Sequence, residues 1–468
     1  SKFGNTKCCL TILFKHLSCF SKNHVGSLFA SAHGFYDTSI TAISLNEVAS
    51  SYPCAVEKVV IVGASLAGVR AAETLRSSGF TGSITVVGAE RHVPYDRPPL
   101  SKKFLVGEWE ADRIALRKPE DLATLNIEWK LGATANALDV EKQIISLEDG
   151  SIIQYDGLII ATGGVARLLP HQPPLAGIHT LRTIDDAIAL RDEIQTDSRV
   201  VVIGAGFIGL EAAATAVQRG AHAIVLEGLE APLIRGLGRD MGSAIAQVHE
   251  KNGVSIRCGV QVAAIQGESR VSGVLLSSGE LIEADVLVVG IGVSPATQWC
   301  ETSGLTIRDG IVCDEFLNAG PRNVFAAGDV ARWPNALFTD VESDMRVEHW
   351  TNAAEQGAHA AKNLLAAMRN EELEPYVAVP FFWSDQFDAR IQFLGRATAD
   401  AVVDVVAGNT ADGKWCAIYS VNNRLTGVLG VSMPKLVMPS RALLSTHTSR
   451  TDALAHFERI LAAQAAAA

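Results

Sequence analysis

Two glycine-rich turns carry the residue types best suited to holding a phosphate. Segments 59–72 and 200–213 are identical at half of their positions, and each joins a β-branched run to an alanine-rich stretch. The second copy has the full G-x-G-x-x-G spacing, whereas the first has a serine at its middle position: Gly204, Gly206 and Gly209 against Gly63, Ser65 and Gly68. A glycine turn lets the backbone approach a pyrophosphate, whose charge is stabilised by the free N–H groups of the following helix. Both copies are therefore candidate phosphate-binding turns.

A carboxylate follows each turn at the end of the next predicted strand. Glu90 ends the run 84–90, and Glu227 ends the run 223–227. Such a carboxylate accepts hydrogen bonds from the ribose hydroxyls of an adenosine. One glycine motif alone is weak evidence for a dinucleotide site, because glycine turns also serve helix–strand packing. Two such motifs, each followed by a carboxylate, predict two dinucleotide sites. A chain that binds two dinucleotides usually passes a hydride between them.

The elements that position these groups are two predicted β-α-β units in a chain of about three domains. The 468 residues are 48% hydrophobic and 19% charged, which is typical of a globular protein. The net charge of −11 argues against nucleic acid or an anionic membrane as the main partner. No apolar run approaches the ~20 residues that a membrane-spanning helix needs.

Residues 1–55 differ from the rest of the chain in composition. This stretch is rich in Ser, Lys, His and Asn, and it has no acidic residue before Asp37. We expect an unrelated leader or, as the alternative, an organelle-targeting segment, and we expect a cytoplasmic body. The eight cysteines form no C-x-x-C pair and have no histidines at zinc-site spacing, so we expect no metal.

Four further segments accompany the two units. They are Y-D-R-P-P-L-S-K at 95–102, L-I-I-A-T-G at 158–163, V-V-G-I-G at 288–292 and V-F-A-A-G-D at 324–329. With the two units, they resemble the two-dinucleotide-fold flavoprotein disulfide reductase superfamily. Within it the chain is most similar to the FAD-dependent, NADH-using ferredoxin reductases of oxygenase and cytochrome P450 systems.

The resemblance implies an α/β fold with two Rossmann-like dinucleotide-binding domains, one for FAD and one for NAD, and a small α+β C-terminal domain. The implied boundaries are 56–165 and 286–374 for a discontinuous FAD-binding domain, 166–285 for the NAD-binding domain, and 375–468 for the C-terminal domain.

The resemblance also implies the roles of individual residues. The first unit is expected to hold FAD and the second NADH. Three residues are expected to be catalytic: Lys102 and Glu211, as an ion pair beside the reactive flavin nitrogen, and Trp383, as a cover over the nicotinamide site. The residues expected to bind the two cofactors are Gly63, Ser65, Ala67, Gly68, Glu90, Arg97, Lys102, Ala135, Ala161, Thr162, Gly163, Arg167, Gly328, Asp329, Trp350, Gly204, Gly206, Ile208, Gly209, Glu227, Arg235, Gly292 and Glu348.

A helix is predicted just after residues 348–350. Asn352 and Glu355 have capping-box spacing, and a helix start aimed at the flavin would stabilise negative charge on it. His349 is not needed as a catalyst in this interpretation, and we expect a packing or solvent residue.

The electron acceptor is inferred from the cysteines. Disulfide-reducing members of the superfamily carry a redox cysteine pair, and neither region where it would lie has two nearby cysteines here. We therefore expect electrons to leave the flavin singly, for a [2Fe-2S] ferredoxin, from a monomer or homodimer. Rubredoxin or a small molecule as acceptor, and an NADH-sensing signalling protein resembling apoptosis-inducing factor, are the alternatives.

The choice of nucleotide depends on Glu227 and Arg235. A carboxylate binds the ribose 2′-hydroxyl of NADH but repels the 2′-phosphate of NADPH, so Glu227 favours NADH. The guanidinium of Arg235 could bind phosphates of either cofactor, so it leaves the strength of that preference open.

Overall fold

The computed structural model describes residues 57–467. The expected leader at 1–55 lies outside this range. No helix within the described range is long and apolar enough to cross a membrane.

The strands fall into seven small sheets within residues 57–467. Up to residue 289 they are β1 (Lys58–Val62), β2 (Ser83–Gly88), β3 (Glu128–Leu131), β4 (Ala135–Asp139), β5 (Ile144–Leu147), β6 (Ile152–Gln154), β7 (Gly157–Ile160), β8 (Gly164–Ala166), β9 (Ile178–His179), β10 (Arg199–Ile203), β11 (His222–Leu226), β12 (Ser255–Arg257), β13 (Val262–Gly267), β14 (Val271–Leu276), β15 (Leu281–Glu283) and β16 (Val286–Val289). The later strands are β17 (Val293–Pro295), β18 (Ile311–Val312), β19 (Val324–Ala326), β20 (Ala331–Trp333), β21 (Met345–Arg346), β22 (Phe381–Gln386), β23 (Ala389–Gly395), β24 (Val402–Asn409), β25 (Lys414–Val421) and β26 (Arg424–Val431).

The helices alternate with the strands in the first two thirds of the chain and are concentrated near its end thereafter. They are α1 (Leu66–Ser77), α2 (Lys103–Val106), α3 (Pro119–Thr124), α4 (Ile184–Glu193), α5 (Phe207–Gln218), α6 (Ile234–Leu237), α7 (Arg239–Lys251), α8 (Trp350–Arg369), α9 (Pro434–Val437), α10 (Arg441–Ser445) and α11 (Arg450–Ala467).

The first parallel sheet has the order β19-β7-β1-β2-β3. Strand β1 is apolar after its first residue and buried along that length, as expected for a central strand covered on both faces. From β1 the chain continues to β2 on one side and later returns as β7 on the other. This reversal opens a crevice at the carboxyl ends of the strands, where open α/β sheets bind ligands.

The second parallel sheet repeats this arrangement with the order β12-β11-β10-β16-β9. Strand β10 pairs with β11 on one side and with β16 on the other, so a second crevice opens at the carboxyl end of β10. Because β19 of the first sheet follows all strands of the second, the chain leaves the first nucleotide fold and returns to it. The residue boundaries of the domains stay predictions.

The C-terminal part is a five-stranded antiparallel sheet in the order β22-β23-β26-β25-β24. One face is covered by the C-terminal helices, including Phe457 of α11. The other face packs against the second nucleotide fold, where the Tyr419 hydroxyl donates to the Leu237 carbonyl over 2.8 Å. The predicted α/β class with two dinucleotide folds and a smaller third domain is confirmed.

Candidate functional site

The two glycine turns are shaped by their outer glycines. Gly63 has a φ of +121°, and a Cβ on it would lie 2.0 Å from the Ala161 carbonyl oxygen. A Cβ on Gly68 would lie 1.8 Å from the Gly63 oxygen, where α1 crosses its own turn. In the second copy Gly204, at φ +101°, and Gly209 are restricted in the same way. These four glycines are therefore explained by the fold itself.

The middle position of each turn faces open space instead. A Cβ on Gly206 would have no atom within 4 Å, although this residue is the N-cap of α5. Ser65 is the N-cap of α1 in the first copy, and its side chain makes no capping hydrogen bond. Room beside the first free N–H groups of a helix fits a pyrophosphate, so both turns are compatible with the dinucleotides that the sequence predicts.

Two adjoining cavities lie at these turns. The inner one, about 370 Å³, touches both turns, through Ser65 and Ala67 on one side and Phe207 and Ile208 on the other. The outer one, about 710 Å³, extends from the first turn past Glu90. Both volumes lie in the range of ligand pockets, about 300 to 1,000 Å³. Ser65, Tyr95, Arg97, Ala161, Thr162, Gly164 and Arg182 line both.

Glu90 lines the outer cavity and is held in place by two residues that line both cavities. Its Oε1 accepts a hydrogen bond of 2.5 Å from Arg97, and its Oε2 accepts one from the Tyr95 hydroxyl. Arg97 also donates to the Arg182 carbonyl over 2.6 Å. Burial raises the pKa of Tyr95, so its phenol is a neutral donor. The predicted ribose carboxylate is thus fixed by the same Y-D-R segment that the sequence singles out.

Glu227 contacts its own glycine turn. Its Oε2 accepts from the backbone N–H of Ala205 over 2.8 Å, and its Oε1 accepts from Leu229 N–H over 2.9 Å. Arg235 lies in the short helix α6, does not line either cavity and makes no ion pair within the described part of the chain. Glu227 also lines neither cavity, but its two backbone hydrogen bonds fix its carboxylate at the second glycine turn.

Lys102 and Glu211 contact each other in the wall of the inner cavity. Lys102 Nζ lies 2.8 Å from Glu211 Oε1, and the side chains are 17% and 5% exposed. The Ser101 and Ser384 hydroxyls also donate to the Glu211 carboxylate. Three donors, one ammonium and two hydroxyls, therefore converge on one buried carboxylate.

Asp329 forms an ion pair with Arg182, which no sequence motif predicts. Its Oδ2 accepts a hydrogen bond of 2.8 Å from Arg182, whose Nε also donates to the Gly164 carbonyl over 3.0 Å. Arg167, which was expected in the cofactor site, instead bonds the Val293 carbonyl and the Ser294 hydroxyl, each over 3.0 Å. Arg167 lines neither cavity.

The aromatic wall of the inner cavity comes from two elements. Trp350, the first residue of α8, donates from Nε1 to Asp96 Oδ1 over 2.6 Å, and its ring lies 6.0 Å from that of Trp383 in β22. Burial raises the pKa of Asp96, although the bond from Trp350 acts in the opposite direction. Glu348, in the same wall, pairs with Arg346 over 2.6 Å.

The predicted capping box is wrong. Helix α8 begins at Trp350 with His349 as its N-cap, and no side chain caps it. The Asn352 amide donates instead to the Val347 carbonyl over 3.1 Å. His349 lines the cavity rather than facing solvent, and burial lowers its pKa to about 4.

Most of the remaining expected residues line one or both cavities. Gly163, Gly328 and Asp329 line the inner cavity, Thr162 lines both, and Ala135 lines the outer one. Gly292, at φ +105°, lines neither, and a Cβ on it would meet no atom within 4 Å.

The described cysteines are remote from this chemistry. Cys258, Cys300, Cys313 and Cys416 are unpaired, and none of them lines either cavity. Burial raises the pKa of Cys300 and of Cys416 to about 12, which keeps them as unreactive thiols. Within residues 57–467, no group of His, Cys, Asp and Glu side chains could hold a metal ion.

Tyr95, Arg182, Ser101 and Ser384 belong to the site but were not singled out from the sequence. Tyr95 and Ser101 lie inside the quoted segment 95–102, so that motif was a usable signal. Arg182 and Ser384 carried no pattern of their own, because their partners lie 147 and 173 positions away in the chain.

Comparison with known proteins is consistent with this geometry. A family model described as pyridine nucleotide-disulphide oxidoreductase matches residues 57–357, and one described as reductase C-terminal matches residues 381–459. Rhodocoxin reductase of Rhodococcus erythropolis is 38% identical over 395 residues, which cover 84% of this chain and 90% of that protein. Putidaredoxin reductase of Pseudomonas putida is 33% identical over 397 residues, covering 83% and 92%.

A solved structure extends the likeness to three dimensions. The crystal structure of the covalent putidaredoxin reductase–putidaredoxin complex aligns with a TM-score of 0.81 at 32% identity, covering 87% of this chain and 98% of that chain.

Proposed function

The chain belongs to the pyridine nucleotide-disulphide oxidoreductase family, and we propose that it is an FAD-dependent reductase that transfers electrons from NADH to a ferredoxin. The observation that carries this proposal is a single cavity that touches both glycine turns and contains the Lys102–Glu211 pair but no cysteine. Two dinucleotides bound at these turns would meet where that pair lies. Bound FAD would supply the chemistry that accepts a hydride and returns single electrons.

FAD would be held by the first nucleotide fold. The open space at Ser65 and the N–H groups that start α1 suit its pyrophosphate. Glu90, already oriented by Arg97, would bind the ribose of its adenosine half. Arg182 and Asp329 form an ion pair in the wall of the cavity. The pair would offer the polar part of the cofactor both hydrogen-bond donors, from the guanidinium, and acceptors, from the carboxylate. We add Arg182 to the predicted FAD-binding residues for this reason.

NADH would be held by the second nucleotide fold. Gly206 leaves room for its pyrophosphate at the start of α5. Glu227 would select the unphosphorylated ribose, because its negative charge repels a 2′-phosphate. Its carboxylate is fixed by two backbone N–H groups, so it cannot easily turn away from a phosphate that enters the site.

Lys102 and Glu211 would act on the reacting end of the cavity. The Lys102 ammonium has three donors, two of which bond Glu211 and the Pro98 carbonyl. The ammonium thus places a positive charge at a site that gains negative charge when electrons arrive there. Trp383 and Trp350 form an apolar wall that keeps water from this end.

The acceptor follows from the absence of a thiol relay. A hydride carries two electrons, and no cysteine within residues 57–467 lines the cavity to store them as a dithiol. We propose a [2Fe-2S] ferredoxin that takes one electron at a time, so that NADH and two oxidised ferredoxins give NAD⁺, a proton and two reduced ferredoxins. A cytochrome P450 or a ring-hydroxylating oxygenase would consume these electrons. The oligomeric state and the cytoplasmic location stay predictions.

The proposal is tested by mixing the FAD-loaded protein with NADH without oxygen. The flavin absorbance should be lost at a rate that saturates with NADH, and NADPH should be much less effective. A flavin absorbance that does not change on addition of NADH would overturn the proposed function.

A further inference from the structure

A chain of buried polar side chains connects helix α7 to the Lys102–Glu211 pair. His249 Nε2 lies 2.7 Å from Gln386 Oε1, and Gln386 Nε2 donates to the Ser384 hydroxyl oxygen over 3.0 Å. The Ser384 hydroxyl in turn donates to Glu211 Oε1. His249, Gln386, Ser384 and Glu211 are each at most 5% exposed. Apart from His249 Nδ1, these four groups, which would be costly to bury alone, therefore form hydrogen bonds to one another.

The charge on Glu211 sets the donor-to-acceptor direction of this chain of hydrogen bonds. An ionised carboxylate only accepts hydrogen bonds, so Ser384 must use its single hydroxyl proton on Glu211. The Ser384 oxygen then accepts from the Gln386 amide nitrogen, which turns the Gln386 oxygen toward the imidazole. His249 must consequently carry a proton on Nε2.

His249 has the surroundings that this direction requires. Its Nδ1 is buried and has no hydrogen-bond partner among residues 57–467, as expected for the bare nitrogen of a neutral ring. Burial lowers the pKa of His249, although its hydrogen bond to Gln386 acts in the opposite direction. The Phe387 ring packs edge to face on the imidazole at 5.4 Å, in a turn where Phe387 has a φ of +53°.

We infer that His249 and Gln386 are positioning residues: they aim the Ser384 hydroxyl at Glu211 and thereby hold that carboxylate against Lys102. The opposite direction of the chain is also complete in hydrogen bonds. It needs a flipped Gln386 amide, the other tautomer of His249 and a protonated Glu211, which would leave Lys102 without its counter-ion. Only the first direction keeps the ion pair, and the His249–Gln386 bond holds the Gln386 amide in the orientation that this direction needs.

The chain also couples the pair to the docking of the C-terminal domain. Ser384 and Gln386 lie in β22, His249 lies in α7 and Glu211 lies in α5. The hydrogen bond from Ser384 to the carboxylate therefore forms only when β22 lies against the second nucleotide fold, whereas Lys102 and Ser101 contact the carboxylate from the Pro-Pro loop. The effect on flavin reduction rests on the proposed function, whereas the direction of the chain does not.

The direction can be read in the wild-type holoprotein by NMR of ¹⁵N-labelled histidine, with the His249 signals assigned by their loss in His249→Gln. We expect a neutral ring with its proton on Nε2 at pH 7. A proton on Nδ1, or a doubly protonated ring at pH 7, would overturn the inference.

Gln386→Glu tests the same point by reversing the hydrogen bond between residue 386 and Ser384. The introduced carboxylate would accept from both Ser384 and His249, so Ser384 would turn away from Glu211. The NMR spectrum should still show a proton on His249 Nε2 at pH 7, and flavin reduction should slow about tenfold because Glu211 loses one hydrogen bond. A bare Nε2 beside the introduced carboxylate, or a reduction rate within about twofold of wild type, would contradict the coupling along the chain.

Gln386→Leu keeps the volume of the side chain but removes both of its hydrogen bonds. Flavin reduction at saturating NADH should slow about tenfold, as expected for the loss of one oriented hydrogen bond to a charged group. The dissociation constant of NADH should change by less than about twofold, because no ligand-binding group is removed.

The matched control is Gln392→Leu. Gln392 is a buried glutamine in the neighbouring strand β23, opposite Trp383 in the strand register; its amide nitrogen donates to Met438 Sδ over 3.9 Å and not to Glu211. Its substitution should leave the reduction rate within about twofold of wild type, as for a residue outside the site. Equal slowing in both variants, or in neither, would overturn the positioning role.

Failures of the two proposals are distinguishable. If NADH does not reduce the wild-type flavin, the proposed function fails, and the NMR signals of His249 still decide the direction of the chain. If the wild-type flavin is reduced but His249 carries its proton on Nδ1, only the positioning role fails.

Discussion

Lys102 Nζ lies 2.8 Å from Glu211 Oε1 in a largely buried ion pair that joins the Pro-Pro loop to the second turn of α5. The carboxylate also accepts hydrogen bonds from Ser101 and Ser384. Removing one partner of such a pair leaves a buried charge uncompensated. The position of these charges in the cavity therefore depends on the packing of three segments: the Pro-Pro loop, α5 and β22.

The first prediction concerns the charge on Lys102. Lys102→Met keeps the length of the side chain and removes its ammonium, so flavin reduction by NADH should slow at least tenfold, a typical loss when one electrostatic stabiliser is removed. Stopped-flow absorbance gives the rate. Lys103→Met is the control, because Lys103 is 56% exposed and its one ion pair within residues 57–467 is with Glu108, over 3.5 Å. Similar rates in the two variants would exclude a special role for Lys102.

The second prediction separates a ligand-binding glycine from a structural one. Gly206→Ala places a methyl group in open space and should leave the melting temperature unchanged while weakening NADH binding. Gly209→Ala places a methyl group 2.2 Å from the Gly204 oxygen and should destabilise the fold by about 1–3 kcal/mol. Calorimetry and an NADH titration check both. A lower melting temperature in Gly206→Ala would contradict this division.

The third prediction concerns nucleotide choice. Glu227→Ala removes the carboxylate that would bind the NADH ribose, so NADH affinity should fall about tenfold and the preference over NADPH should decrease. The ratio of kcat/KM for the two nucleotides measures it. Glu230→Ala is the control, since Glu230 is 59% exposed and pairs with Arg239 at 3.6 Å. A variant that keeps the full preference for NADH would show that Glu227 does not select the nucleotide.

The fourth prediction concerns pH. Burial lowers the pKa of His349 to about 4, below its unfolded value of about 6.5. The unfolded chain therefore binds more protons than the folded protein between these values, so His349 lowers the free energy of unfolding as the pH falls from about 6.5 through about 4. His349→Phe should remove this part of the pH dependence in urea unfolding at a fixed FAD concentration. An unchanged slope in that pH range would show that His349 is protonated in the folded protein.

Much of the site could be predicted because its motifs are local. The strand, turn, helix and carboxylate of each nucleotide unit follow one another within about 30 residues, so spacing alone predicts their arrangement. Lys102 and Glu211 required a family resemblance, because no local pattern pairs them. Arg182 could not be found at all, since only tertiary packing brings it to Asp329.

The wrong prediction of a capping box has a physical cause as well. The capping-box spacing of Asn352 and Glu355 was misleading because α8 already begins at Trp350, so Asn352 lies inside its first turn. Arg167 bonds β17 and lines neither cavity, so its predicted role in cofactor binding stays a prediction. The sequence position of a single basic residue near a motif does not indicate whether its side chain faces the cavity.

The transfer of electrons from NADH to a ferredoxin is tested most directly by a coupled assay of cytochrome c reduction, run with and without a [2Fe-2S] ferredoxin at fixed NADH. Reduction should depend on the ferredoxin and should consume one NADH for every two electrons delivered. Rapid flavin reduction by NADH with no ferredoxin-dependent reduction of cytochrome c, over a panel of [2Fe-2S] ferredoxins, would contradict it.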